Sequence, residues 1–149
     1  MLRNFVRGFE NALSTDMCKS LIDWFESVPN APSDDGPTGQ HKVIGGVETV
    51  EVNRPTRKDK QLWLPEDSEL YKPLQKVKFK MLDEYLKKFP YAYRGKKKLI
   101  TQESKIQRTN PLGGGFHNFH SEVGHWEECA RALVWTIYLN DIPEGEGET

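Results

Sequence analysis

Residues 42–52 read KVIGGVETVEV and are rich in Val, Ile and Thr, the β-branched residues that favour extended strands. Gly45 and Gly46 stand in the middle of this stretch, where a turn or a bulge needs backbone angles that glycine adopts freely. The pattern predicts one or two strands with a turn or bulge between them. The protein therefore contains a sheet, whatever helices lie on either side of it.

Two amphipathic helices are predicted on the two sides of this stretch. Residues 14–28, STDMCKSLIDWFESV, have Ser14 or Thr15 as the capping residue and an apolar stripe, and Pro29 ends the helix. Residues 73–89 repeat apolar side chains at intervals of three and four, while lysines fill the other face. Both stripes predict helices that pack on a sheet.

After residue 98 the pattern changes from helical to strand-like. Residues 99–109 are compatible with a strand, and NPLGGG at 110–115 is typical of a turn. Residues 116–123 alternate as expected for the two faces of a strand. Residues 131–140, RALVWTIYLN, are almost wholly apolar, which predicts a strand buried on both faces.

The order of these elements predicts an α+β protein, or a β-barrel backed by helices, rather than alternating βαβ units. A chain of 149 residues fits one domain. We expect a helical part at about 1–98 and the barrel strands at about 99–149, as these boundaries follow the change of pattern.

The overall composition narrows the classes of partner. The 21 basic residues balance 22 acidic ones, which argues against nucleic acid and anionic membranes as partners. The basic run RGKKK at 94–98 is a local exception and makes nucleic-acid binding a third, weaker hypothesis. No apolar run approaches the ~20 residues of a membrane helix, and the first residues lack a signal peptide's apolar core. Two cysteines suit a reducing compartment, so a cytoplasmic protein is predicted.

Residues 116–125, FHNFHSEVGH, hold three of the four histidines of the chain. In a regular strand, Asn118, His120 and Glu122 share one face, while His117 points to the other. An imidazole and a carboxylate at this spacing suit the 2-His-1-carboxylate triad, which binds Fe(II) and leaves positions open for substrate and oxygen. Structural zinc prefers four Cys or His ligands, and calcium needs more oxygen ligands. The stretch is therefore a candidate iron site.

Residues 105–122 and 131–149 resemble the prolyl 4-hydroxylase-like branch of the Fe(II)/2-oxoglutarate-dependent dioxygenases. That family has a strand, a Pro/Gly turn, an aromatic residue and H-x-D or H-x-E. A buried strand that ends in Tyr-Leu-Asn and a Gly-Gly-Glu-Thr-like segment follow. The corresponding pieces here are Pro111 with Gly113–Gly115, Phe116, His120-Ser121-Glu122, Tyr138-Leu139-Asn140 and Gly147-Glu148-Thr149.

The resemblance implies a double-stranded β-helix, or jelly-roll barrel, with the helix at 73–89 packed on its outer face. His120 and Glu122 would be the first two ligands of Fe(II). The reaction would be a hydroxylation that uses 2-oxoglutarate and molecular oxygen, on a prolyl or other amino-acid or peptide substrate. The protein would bind and orient these molecules.

The positions of three further residues suggest roles near this candidate site. Asn118 shares the face of His120 and Glu122 and could orient the ligands. Gln107 and Thr109 share a face of the preceding strand and could line the 2-oxoglutarate pocket.

The chain departs from the family pattern in two ways. Glu122 stands where the family commonly has Asp. The family's second histidine and the basic partner of 2-oxoglutarate lie on later strands, and no histidine follows His125. The C-terminal barrel strands are therefore predicted to be missing from this chain, so that either the chain is a fragment or its site is not the family's site.

Three alternatives follow from that departure. A homodimer or a strand swap could cover open strand edges. His117 or His125 could replace the third ligand. The protein could also be a non-catalytic, cupin-like binding module in which the His/Glu cluster is structural or vestigial.

Overall fold

The computed structural model describes residues 5–29, 42–54, 57–92, 104–109, 114–116 and 132–143. Two helices and a sheet make up the described part of the chain, so the predicted α+β class is confirmed. In chain order the elements are α1 (Thr15–Ser27), β1 (Lys42–Ile44), β2 (Val47–Arg54), β3 (Arg57–Trp63), α2 (Tyr71–Lys88), β4 (Lys105–Thr109) and β5 (Gly115–Phe116).

Helix α1 begins where its capping residue predicts. Ser14 is the N-cap, and its hydroxyl oxygen accepts a hydrogen bond from the Met17 amide at 3.2 Å. Asp16 adds a negative charge in the first turn, which the helix dipole favours. The helix ends at the C-cap Val28, directly before Pro29. The helix predicted at 14–28 is therefore confirmed.

Of the alternatives predicted at 42–52, one strand with a bulge or two strands with a turn, the structure has two strands that form a hairpin. Strands β1 and β2 pair antiparallel, with Ile44 opposite Val47. Gly45 and Gly46 form the two-residue turn with φ values of 57° and 80°. This left-handed backbone disfavours side chains with a Cβ, so the two glycines fix both the turn and the register.

Strand β3 is the centre of the sheet. No strand was predicted from its sequence. The order is β1-β2-β3-β4, all antiparallel, and the short β5 also pairs with β3. Since β2 covers one edge of β3, both β4 and β5 lie along its other edge. Strands β4 and β5 therefore follow one another along this edge of β3. Of the turn predicted at 110–115, Gly115 belongs to β5, and residues 110–113 lie outside the described residues.

Helix α1 covers one face of this sheet, and two apolar clusters hold the layers together. The first joins the end of α1 to the sheet through Phe25, Val28, Val47 and Leu62. The second joins α1, the end of β3 and α2 through Leu21, Leu64 and Leu74. Helix α2 spans Tyr71–Lys88, which confirms the helix predicted at 73–89.

The prediction of a strand buried on both faces at 131–140 is wrong for the described residues 132–143. These residues form neither helix nor strand. Ile137 and Leu139 pack against the second apolar cluster, whereas Val134 and Tyr138 are 63% and 54% exposed. The segment thus buries one side only. Its apolar residues pack against the helices from one side of the segment. No described strand covers the other side of the segment.

The described strands form an open sheet. Strands β1 to β3 come from the part predicted as helical, 1–98, and β4 and β5 come from 99–149, so both parts build one sheet. A closed jelly roll is not present among the described strands. No helix in the described ranges is long and apolar enough to cross a membrane.

Lys78 is a buried cation on α2. Only 4% of its surface is exposed, and its Nζ finds no hydrogen-bond acceptor among the described residues. The amine lies 4.8 Å from the centre of the Trp135 ring. Burial lowers the pKa of Lys78 below its ordinary value of 10.5, because the buried amine loses its hydration.

We expect Lys78→Met to raise the free energy of unfolding at neutral pH by about 1 kcal/mol, because it removes a buried amine that lacks an acceptor. The native state of the wild type binds fewer protons than the unfolded state between the lowered pKa and 10.5. Its stability therefore rises with pH through that window, and the advantage of Lys78→Met shrinks there.

Urea unfolding of wild type and variant at neutral pH and near pH 10.5 measures this difference. Lys76→Met, at an exposed position of the same helix, is the matched control. A Lys78→Met protein less stable than the wild type at neutral pH would contradict the expectation.

Candidate functional site

The sheet face opposite α1 carries a row of polar side chains. Asp59 and Gln61 of β3 lie on it, and β4 brings Thr109 opposite Asp59 and Gln107 opposite Gln61. Residues that pair directly across an antiparallel ladder share a face, so all four side chains belong to one surface. We call these four residues the polar face.

A buried carboxylate is the centre of the polar face. Gln107 donates from Nε2 to Asp59 Oδ2 at 2.9 Å, and Gln61 donates from Nε2 to Oδ1 and Oδ2 at 3.1 and 3.2 Å. Asp59 and Gln61 are only 2% and 4% exposed, whereas Gln107 and Thr109 are exposed. On the polar face, Asp59 and Gln61 are therefore buried, and Gln107 and Thr109 beside them are exposed.

The other face of the sheet carries a buried cation with a structural role. Lys60 donates from Nζ to the backbone oxygen of Val28 at 2.8 Å and lies 4.9 Å from the centre of the Phe25 ring. Burial, and then the charge of Arg108, lower the pKa of Lys60, while Glu26 opposes the shift. These contacts fasten the end of α1 to the sheet and leave Lys60 no open side for a ligand.

A small cavity lies at the hairpin end of the sheet. Its volume is about 200 Å³. It is lined by Gly46, Glu48, Trp63, Leu64, Pro65 and Glu66. Ligand pockets usually measure about 300–1,000 Å³, so this cavity is smaller than most of them. The polar face is the stronger candidate.

The predicted metal ligands His120 and Glu122 lie outside the described residues, as does Asn118. The other three histidines and the basic run at 94–98 do so as well. In the described ranges, no three His, Cys, Asp or Glu side chains come close enough together to hold a metal ion. The iron site therefore stays a prediction.

Gln107 and Thr109 are predicted pocket residues that the structure describes. Both are exposed on the polar face, and their contact with 2-oxoglutarate stays a prediction. Sequence reasoning missed Asp59 and Gln61 because it missed β3. The stretch at 57–63, RKDKQLW, carries charged residues on both faces and therefore lacks the apolar–polar alternation that indicates a strand.

Comparison of the chain with protein-family models, with curated proteins and with solved structures found no match.

Proposed function

We propose that this chain is part of an iron- and 2-oxoglutarate-dependent oxygenase that hydroxylates an amino-acid or peptide substrate. The supporting observation is the register of β5. Gly115 pairs with Lys58, so a regular continuation of β5 alternates in phase with β3. Even-numbered residues of that continuation would fall on the side of Asp59 and Gln61.

His120 and Glu122 are the proposed ligands. The phase of β5 would put both on the same side of the sheet as Asp59 and Gln61, together with Asn118, but past the Arg57 end of β3. An imidazole and a carboxylate on one strand face are the donor types that suit Fe(II). When bound, the iron would supply the oxygen chemistry, and the protein would hold the substrate and exclude water.

The barrel is part of the same proposal. The antiparallel sheet of β1 to β5 would be one wall, with α1 packed on its outer side and the polar face turned inward. Strands beyond the described residues would close it. Cytoplasmic location and a homodimer likewise stay predictions.

We expect the full chain to bind Fe(II) without oxygen, and His120→Ala to weaken this binding by more than about 100-fold. Loss of a group that merely supports a ligand already costs about 10–100-fold. Calorimetric titration with Fe(II) measures the affinity, and succinate formed from 2-oxoglutarate measures turnover.

His41→Ala is the matched control, because the sequence places His41 far from the candidate ligands. Equal Fe(II) affinity of wild type and His120→Ala would refute the ligand assignment. Binding of Fe(II) that requires His120, without succinate formation under any condition, would favour the non-catalytic module.

A further inference from the structure

Helix α2 presents a row of lysine side chains to solvent over almost its whole length. Lys72, Lys76, Lys80 and Lys87 are all exposed. An α-helix turns by about 100° per residue, so these four positions fall within a sector of about 80°. The helix rises about 22 Å from the first of them to the last. We call these four residues the lysine face.

The positive charges of the lysine face are not neutralised by other parts of the described chain. None of the four lysines makes an ion pair with any described residue. Asp83 and Glu84 lie three and four residues from Lys80 and Lys87, the spacing at which helical side chains meet, yet neither pairs with them in the described structure. The helix carries six lysines against these two acids, so α2 is locally basic although the whole chain is nearly neutral.

An exposed aromatic ring lies at the middle of the lysine face. Phe79 stands between Lys76 and Lys80, on the same side of the helix, and is 46% exposed. Its ring stacks on no other ring in the described part of the chain. The ring is therefore accessible to a planar group of a partner that the lysines attract.

A row of cations around an exposed ring fits a single-stranded nucleic acid. Its backbone carries a negative charge at every nucleotide, which lysines neutralise, and its unpaired bases stack on aromatic side chains. An anionic membrane fits less well, because a helix that lies in the bilayer surface buries its apolar face there. The apolar face of α2 is already packed inside the protein, where Leu74 belongs to the second apolar cluster.

We infer that the lysine face of α2, together with Phe79, is a docking surface for single-stranded nucleic acid. The lysines contact backbone phosphates, and Phe79 stacks on a base. Phosphate contacts and stacking carry little sequence information, so the binding is largely independent of base sequence. The inference does not rest on the proposed function, and it concerns residues other than the basic run at 94–98.

The test is an anisotropy titration of a labelled oligothymidylate of about 15 nucleotides with the full chain, without iron. We expect binding that weakens as salt is added. Lys76→Gln/Lys80→Gln should weaken binding by about tenfold or more and reduce the slope of log affinity against log salt by about 1.4, since two phosphate contacts are lost. Lys19→Gln/Lys58→Gln removes the same charge from exposed positions outside α2 and is the matched control. It should bind nearly as the wild type does.

Phe79→Ala tests the stacking contact. The substitution removes an exposed ring, so the fold is kept. Binding of the oligothymidylate should weaken by about tenfold, the effect of one base stacked on an aromatic side chain. Binding of a duplex of the same length should not respond to Phe79→Ala, because its bases are already stacked within the helix.

Four results would each overturn the inference. They are no salt-sensitive binding of the oligothymidylate by the wild type, unchanged binding in folded Lys76→Gln/Lys80→Gln, an equal loss in Lys19→Gln/Lys58→Gln, and unchanged binding in Phe79→Ala. Vesicles that contain phosphatidylserine are the second probe. Lysine-dependent binding of these vesicles without binding of the oligothymidylate would assign the surface to membranes instead. None of these results depends on Fe(II), so the titration of His120→Ala tests the proposed function separately.

Discussion

Replacing Phe25 by Ala is expected to lower the free energy of unfolding by about 3–5 kcal/mol. Phe25 is buried in the first apolar cluster, where α1 meets Val47 and Leu62 of the sheet. Its ring also faces two cations, Lys60 at 4.9 Å and Arg108 at 5.7 Å. The substitution leaves a cavity and removes the ring from both cations, so we expect a loss in the upper part of this range.

Urea unfolding followed by circular dichroism measures this change. Phe79→Ala is the matched control, because Phe79 is an exposed phenylalanine on α2. We expect that control to change stability by no more than about 0.5 kcal/mol. Similar losses in the two variants would contradict the packing of α1 on the sheet.

Replacing Asp59 by Leu is expected to lower the free energy of unfolding by about 1–3 kcal/mol. Leu has the same branching at Cγ but accepts no hydrogen bond, so the Nε2 donors of Gln61 and Gln107 lose their acceptor. Gln61 is buried and cannot recover the loss from water. Asp59→Asn keeps one acceptor oxygen and should lose less.

Asp83→Leu tests whether the effect belongs to this position, because Asp83 is exposed on α2. The same unfolding measurement applies to all three variants. A stability of Asp59→Leu equal to that of the wild type would mean that the carboxylate does not hold the glutamines.

Local signals in the sequence were sufficient for three elements. Ser14 and the apolar stripe predict α1, Gly45 and Gly46 predict the hairpin, and the repeat at 73–89 predicts α2. Each signal acts over a few residues: a cap satisfies an amide three residues away, and a glycine permits its own backbone angle. Neighbours distant in the chain are not needed for any of these predictions.

Strand β3 could not be predicted from local signals, because its buried residues depend on contacts with residues distant in the chain. Lys60 is buried only because the end of α1 supplies the Val28 oxygen and the Phe25 ring. Asp59 is buried beside Gln107, which is 48 residues away in the chain. A pattern of charged residues normally indicates exposure, so no local rule could have predicted this strand.

The segment at 132–143 is the opposite case, because its local pattern predicts more burial than the described residues provide. Its apolar run predicts burial on two faces, but the fold supplies the helix cluster on one side only, and Val134 and Tyr138 stay exposed.

The sequence by itself determined the helices, the hairpin and the residue types of the candidate iron site, because caps, glycines and side-chain chemistry are local properties. Only the tertiary structure decided that Asp59 and Gln61 of β3 meet Gln107 of β4 on one face of the sheet. The physical reason is that hydrogen bonding between strands fixes the register, and register decides which distant side chains meet.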